Sequence, residues 1–187
     1  MKEFTPIYSF RPLHEVQHRL QELILYICDV CRNDPNFGAV KLNKILSRAD
    51  FTYFLQAGHS ITGGAYKKLD FGPVPEQLVQ VRRMMIDNGE LFLKGDYYGS
   101  PKQIPVAKRR ARLNIFTGDE IAVLDKAIID LREYNAREVS TISHDIKYHL
   151  TELNALIPYQ FAYIDESPVS ELEEEWIAEL NQQRKWE

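Results

Sequence analysis

Few residues in this sequence have the types and spacing for chemistry. Cys28 and Cys31 form a CxxC, a spacing used by zinc ligands and by redox pairs. Zinc would need a second pair of ligands, and no second CxxC exists. A redox pair belongs at a helix N-terminus, where the dipole stabilises a thiolate. These two cysteines close an apolar run, "LILYICDVC", so core packing is expected for both. His14 and His18 are four apart and could share a metal, but no third ligand is evident and surface helix positions explain them as well. Ser143, His144 and Asp145 put three triad residue types in a row, yet a triad is assembled in space, not in sequence. His144 is expected to cap or pack a helix end. No GxSxG occurs either. The expectation is a chain with no catalytic residues, no metal and no cofactor.

Glycine and lysine meet in "ITGGAYKKLDFGPVPEQL", Ile61 to Leu78. A phosphate loop closes on Gly-Lys-Ser/Thr and opens a helix whose backbone N–H groups converge on the anion. Here Gly63-Gly64 lead instead into Ala65, Lys67, Leu69 and Phe71 alternating with Tyr66, Lys68 and Asp70, the pattern of a short strand. The stretch therefore reads as a corner between packed elements. Residues before proline avoid the helical region, so Gly72 and Val74 are expected to be extended. Pro75 is expected to open the next helix, where its missing N–H costs nothing.

The elements that must hold these residues follow from periodicity. Leu13, Leu20, Leu23, Ile24 and Ile27 form one stripe of a helix over 12–32, which "RNDPNFG" ends. Leu42, Ile45, Leu46, Ala49 and Tyr53 predict a second helix over 39–56, stopped by Gly58. A third, over 75–88, carries Leu78, Val81 and Met85 inward. Residues 91–106 predict a hairpin turning at "YYGSPKQ" or "KGD". Thr117 and Glu120 then predict a capping box for a fourth helix with Ile121, Leu124, Ile128 and Leu131 buried. One or two shorter helices follow, then a closing strand at "YQFAYID" and an acidic helix over 170–186. The fold class expected is α+β and mostly helical: a helical core with a small sheet or hairpin, winged-helix-like in part.

That order leaves a nucleic-acid alternative open. The third helix carries Gln80, Arg82 and Arg83, types that contact bases and phosphates, and Arg109 and Arg110 follow the hairpin. The balance of charge opposes it. The 187 residues carry 23 Lys and Arg against 27 Asp and Glu, a formal net charge of −4, whereas duplex binding is driven by neutralising phosphates. With 44% hydrophobic, 27% charged and 11% aromatic residues the chain is globular in composition. The N-terminal "MKEFTPIYSFRP" lacks the apolar core of a secretion signal, and "LILYIC" is too short to span a bilayer. A cytoplasmic protein without a membrane partner is expected.

"KLNKILSRADFTYFLQAGHSITGGAYKKLDFGPVPEQL" resembles the signature region of the SocA-like antitoxin family, the Panacea domain of phage-associated proteins. The positions that carry the resemblance are Lys41, Leu42, Lys44, Ala49, Asp50, Gly58, Ile61, Thr62, Gly63, Tyr66, Gly72, Pro73, Val74 and Pro75. "FTGDEIAVLDKAIIDLREYNAREVSTISHD" is similar to a later family helix and its closing Ser-His. This chain has Ser47-Arg48 where the family usually carries an aromatic pair, which implies an altered partner surface on that helix face. The organisation expected is an N-terminal segment and first helix over 1–36, the SocA-like domain over 37–165 and the acidic helix over 166–187. The resemblance implies an antitoxin that neutralises a cognate toxin protein by direct binding, in one mode as an adaptor for a cellular protease. Anchors for such a partner are expected at Tyr97 and Tyr98 in the hairpin turn, at Trp176 and Trp186 in the last helix, and at Phe4, Ile7, Tyr8 and Phe10 near the N-terminus.

Overall fold

The computed structural model describes residues 5–95 and 103–164. Its centre is a helix with two buried faces. Helix α2, Ala39–Ala57, ends at Gly58 as its sequence predicts. On one side it meets α1, Leu13–Val30, and α4, Gly118–Leu131. Leu23, Ile24, Ile27, Ile45, Leu124 and Ile128 build the main core there. On the other side Phe51 and Phe54 enter a second, aromatic cluster with Tyr66, Ile157 and Tyr159. Burying apolar area of this kind stabilises a fold by about 25 cal/mol for each Å² removed from water. Both cysteines lie in the main core as free thiols. Burial pushes the Cys28 thiol far up and raises Cys31 to about 11.

Two small antiparallel sheets flank the helices. Strand β1, Tyr66–Leu69, pairs with β2, Gly72–Pro75, in the register Tyr66↔Pro75 to Leu69↔Gly72. Strands β3, Leu91–Gly95, and β4, Gln103–Ala107, form the expected hairpin. Between the sheets lies α3, Leu78–Asp87. The capping box predicted for α4 is present, with Thr117 and Glu120 each bonding the other's backbone N–H. Two short helices follow, α5 over Ala136–Ile142 and α6 over Ile146–His149. The chain is a mostly helical α+β domain.

Three sequence expectations are corrected. Pro75 does not open a helix. It ends β2, whose pairing runs one residue further through the Glu76 N–H to the Ala65 carbonyl at 2.9 Å, and this delays α3 to Leu78. Pro73 and Pro75, two apart, share one edge of the strand, so their missing N–H groups face away from β1. Gly72 is not ordinary extended backbone; its φ is +104°. The reversal of direction falls at Asp70 and Phe71, before the prolines. The closing strand at 159–165 is a 3-10 helix over Tyr159–Tyr163. Strand-like pairing to β1 comes earlier, through the Lys67↔Leu156 bridge and the Ile157 N–H to Tyr66 carbonyl bond at 2.8 Å. Pro158 cannot donate to a ladder, and the chain turns off there.

Candidate functional site

The polar signature residues converge beneath the turn at 60–64. Asp50, on the inner face of α2, is 1% exposed. Its carboxylate accepts from the Thr62 N–H at 2.8 Å, from the Thr62 hydroxyl, and from the Tyr66 hydroxyl at 2.9 Å. Thr62 Oγ1 accepts in turn from the Gly64 N–H at 3.2 Å. Burial raises the Asp50 carboxyl to about 6, against the pull of the Thr62 and Tyr66 hydrogen bonds. Arg19 grips the same turn from α1. Its guanidinium donates to the Ile61 carbonyl at 2.6 Å, the Ile115 carbonyl at 2.7 Å and Glu120 at 2.5 Å, and stacks on Phe116. Gly63 sits at φ +76°, and a Cβ there would lie 2.5 Å from the Arg11 side chain. Hydrogen bonds of this density make the turn a clamp between α1, α2 and β1.

The two signature lysines are equally buried. Lys41 pairs with Asp34 at 2.7 Å and donates to the Arg132 carbonyl at 2.6 Å, tying the α1–α2 loop to the end of α4. Lys44 runs under the β1–β2 turn and donates to the Phe71 carbonyl. Burial pulls its ammonium down to about 8, with Asp145 opposing. Its Nζ lies 1.9 Å, and the Ser143 hydroxyl 2.6 Å, from where a Cβ on Gly72 would stand.

The residues of the nucleic-acid alternative differ in exposure. Gln80 and Arg83 are exposed on α3 and Arg82 is half-buried. Arg109 is held inside the chain, donating to both oxygens of Glu22 at 2.7 and 2.8 Å and to Glu90 at 2.6 Å. Glu22 is 1% exposed; although burial opposes it, Arg109 and the Arg112 N–H hold this carboxyl below its ordinary value. Arg110 is exposed.

His144 stacks on Tyr148 with ring centroids 4.0 Å apart, the packing role its sequence position suggests. Burial and nearby Lys44 lower its pKa. His14, Glu15 and His18 also spell HExxH, a zinc-protease spacing. On α1, Glu15 pairs with Arg11 at 3.2 Å and His18 lies 3.9 Å from Glu22. Among the described residues no group of three or more His, Cys, Asp and Glu is placed to hold a metal. Nor is any described helix long and apolar enough to cross a membrane.

Of the expected anchors, Phe4, Tyr97, Tyr98, Trp176 and Trp186 lie outside the described residues. Phe10 is turned inward, 5.0 Å from the Tyr159 ring and 5.8 Å from Phe54. Ile7 is 38% exposed and Tyr8 half-buried. Other exposed apolar side chains lie on β1, on the turn after it and beyond α6. Leu69, Phe71, Leu150 and Leu153 are 37, 70, 52 and 53% exposed. They flank segments that hydrogen-bond to one another, through the Asn154 N–H to the Lys68 carbonyl at 2.9 Å and the Tyr148 hydroxyl to the Asp70 carbonyl at 3.3 Å. The sequence signal for this face was weak, because Leu69 and Phe71 sit in a strand pattern that did not say which side faces solvent.

Residues 42–148 match the family described as antitoxin SocA-like, Panacea domain, and the chain belongs to that family. No curated protein and no solved structure matches the chain.

Proposed function

We propose that this protein is the antitoxin of a toxin–antitoxin pair and acts by binding rather than by catalysis, covering a cognate toxin protein with the face that carries Phe71. Family membership supplies the antitoxin reading. The observation that supports the face is the exposure of Leu69, Phe71, Leu150 and Leu153 on hydrogen-bonded segments. Large apolar side chains grouped this way mark protein contacts, and aromatic anchors dominate such interfaces. An interface of ordinary size, about 1,600 Å² in total, suffices for nanomolar neutralisation. Retention of Arg109 by Glu22 and Glu90 favours a protein partner over DNA. Delivery of the toxin to a cellular protease is a further mode compatible with the same contact.

The test is co-expression with the product of the adjacent gene. Growth inhibition by that product, relieved by this chain and not by its Phe71→Asp or Leu153→Asp variants, is the expected result. Relief by both variants at wild-type levels would remove this face from the reading. A neighbouring product that forms no complex with the folded chain would remove the reading itself.

A further inference from the structure

A pocket of about 140 Å³ opens between α2, α5 and α6, the size at which an apolar cavity accepts a benzene ring. One wall is apolar: Phe51, Leu131, Val139 and Ile142. Lys44, Arg48 and Lys147 also line it, against the single carboxylate of Asp145. That carboxylate is engaged on both sides, by Lys147 and by the Tyr148 N–H it caps at 3.3 Å. Arg48 faces Asp130 at 2.9 Å on the outer side. Lys44 is the unusual member. It is 4% exposed, and among the described residues its ammonium has one recorded acceptor, the neutral Phe71 carbonyl. A buried ammonium carries three donors and a full charge, and leaving them unmet is costly. Ser47, 5% exposed, keeps the floor of the pocket small, and Ser143 adds a hydroxyl to the lining.

We propose that this pocket binds a small carboxylic acid with an apolar body, an aromatic or branched aliphatic monocarboxylate. Its carboxylate sits at the Lys44 and Lys147 ammonium groups, and its body lies against Phe51, Leu131 and Val139. With Arg48 paired to Asp130 and Lys147 to Asp145, Lys44 is the lining cation whose acceptor is a neutral carbonyl rather than a carboxylate, and it selects an anion. The adjoining apolar wall selects against phosphate, which has no surface to place there. Lys147 already lies 5.5 Å from the Phe51 ring centre, so charge and apolar wall meet within the span of one such molecule. The inference stands apart from toxin binding, since it concerns the isolated chain.

The experiment titrates benzoate and 4-methylpentanoate into the full chain and follows backbone amide shifts by NMR. Benzyl alcohol, 4-methylpentanol, inorganic phosphate and the peptide amide acetyl-Leu-Glu-NH2 serve as comparisons. Saturable shifts at residues 44–48 and 139–147 are expected, with a dissociation constant on the order of 1 mM for ligands this small. The alcohols and phosphate should bind at least tenfold more weakly. Lys44→Met should weaken the carboxylates at least tenfold, and Ser47→Phe, which fills the space and leaves every cation in place, should do the same. Lys147→Met, at the pocket's outer edge, should weaken them severalfold and guards against a folding defect in Lys44→Met. Equal binding of alcohols and acids would overturn the proposal. So would undiminished binding by Ser47→Phe, or tighter binding of the peptide amide, which would assign the pocket to a protein segment.

Discussion

The Nζ of Lys44 occupies the space that a side chain on residue 72 would need, 1.9 Å from the position of a Cβ built on Gly72. One residue lies in α2 and the other starts β2, so a helix and a hairpin are fitted to each other through an atom that glycine lacks. The φ of +104° at Gly72 adds a second reason for glycine there.

Gly72→Ala therefore meets both backbone strain and a clash with a buried ammonium. It should lower stability by about 2–4 kcal/mol in urea denaturation. Adding Lys44→Met should recover only part of that loss, because the dihedral strain remains.

Asp50 makes stability depend on pH in the direction opposite to most carboxylates. Its folded value of about 6 stands above the ordinary 3.8, so the folded state binds this proton more readily than the unfolded one. The contribution is full below the unfolded value and is lost as pH rises through about 6. From pH 7 to pH 5 it should add about 1 kcal/mol of stability. The Glu22 carboxyl is held low and acts oppositely, losing its contribution only as pH falls below its ordinary 4.5. Urea midpoints at pH 7 and pH 5 should show the Asp50 gain, and Asp50→Asn should flatten it. Asn also places an amide N–H group against three donors, so it should be less stable at both values.

Removing Arg109 strands a buried carboxylate. Arg109→Ala should cost about 3 kcal/mol, within the range for breaking a buried pair from one side. The double change with Glu22→Leu should cost markedly less than the sum of the single changes, giving a clear coupling energy in a double-mutant cycle.

The CxxC thiols should resist chemistry while the fold lasts. With Cys28 and Cys31 buried and both thiol pKa values raised, iodoacetamide at pH 8 should label neither in native protein within the time that labels both in urea. Rapid native labelling would show that the end of α1 opens.

Much of this architecture was legible residue by residue. Apart from Leu13, 54% exposed, and Ile121, half-buried, the stripes of α1, α2 and α4 record which face of each helix leaves water, and the Thr117–Glu120 box marks a helix start because both partners lie within one turn. The tie between Asp50 and Thr62 was visible only as a shared signature, since nothing in residue spacing says that a carboxylate on one helix will serve the next turn's backbone.

Local pattern, then, was enough to determine helix order, the β3–β4 hairpin and the buried placement of the cysteines, because those depend on neighbours a few residues away. Only the tertiary structure decided that Pro75 belongs to a strand, that Arg109 belongs to Glu22, and that Lys44 reaches the β1–β2 turn. The last two join residues 87 and 27 positions apart, and the free energy that selects them comes from desolvating charged and polar groups together, a quantity that exists only once the elements have met.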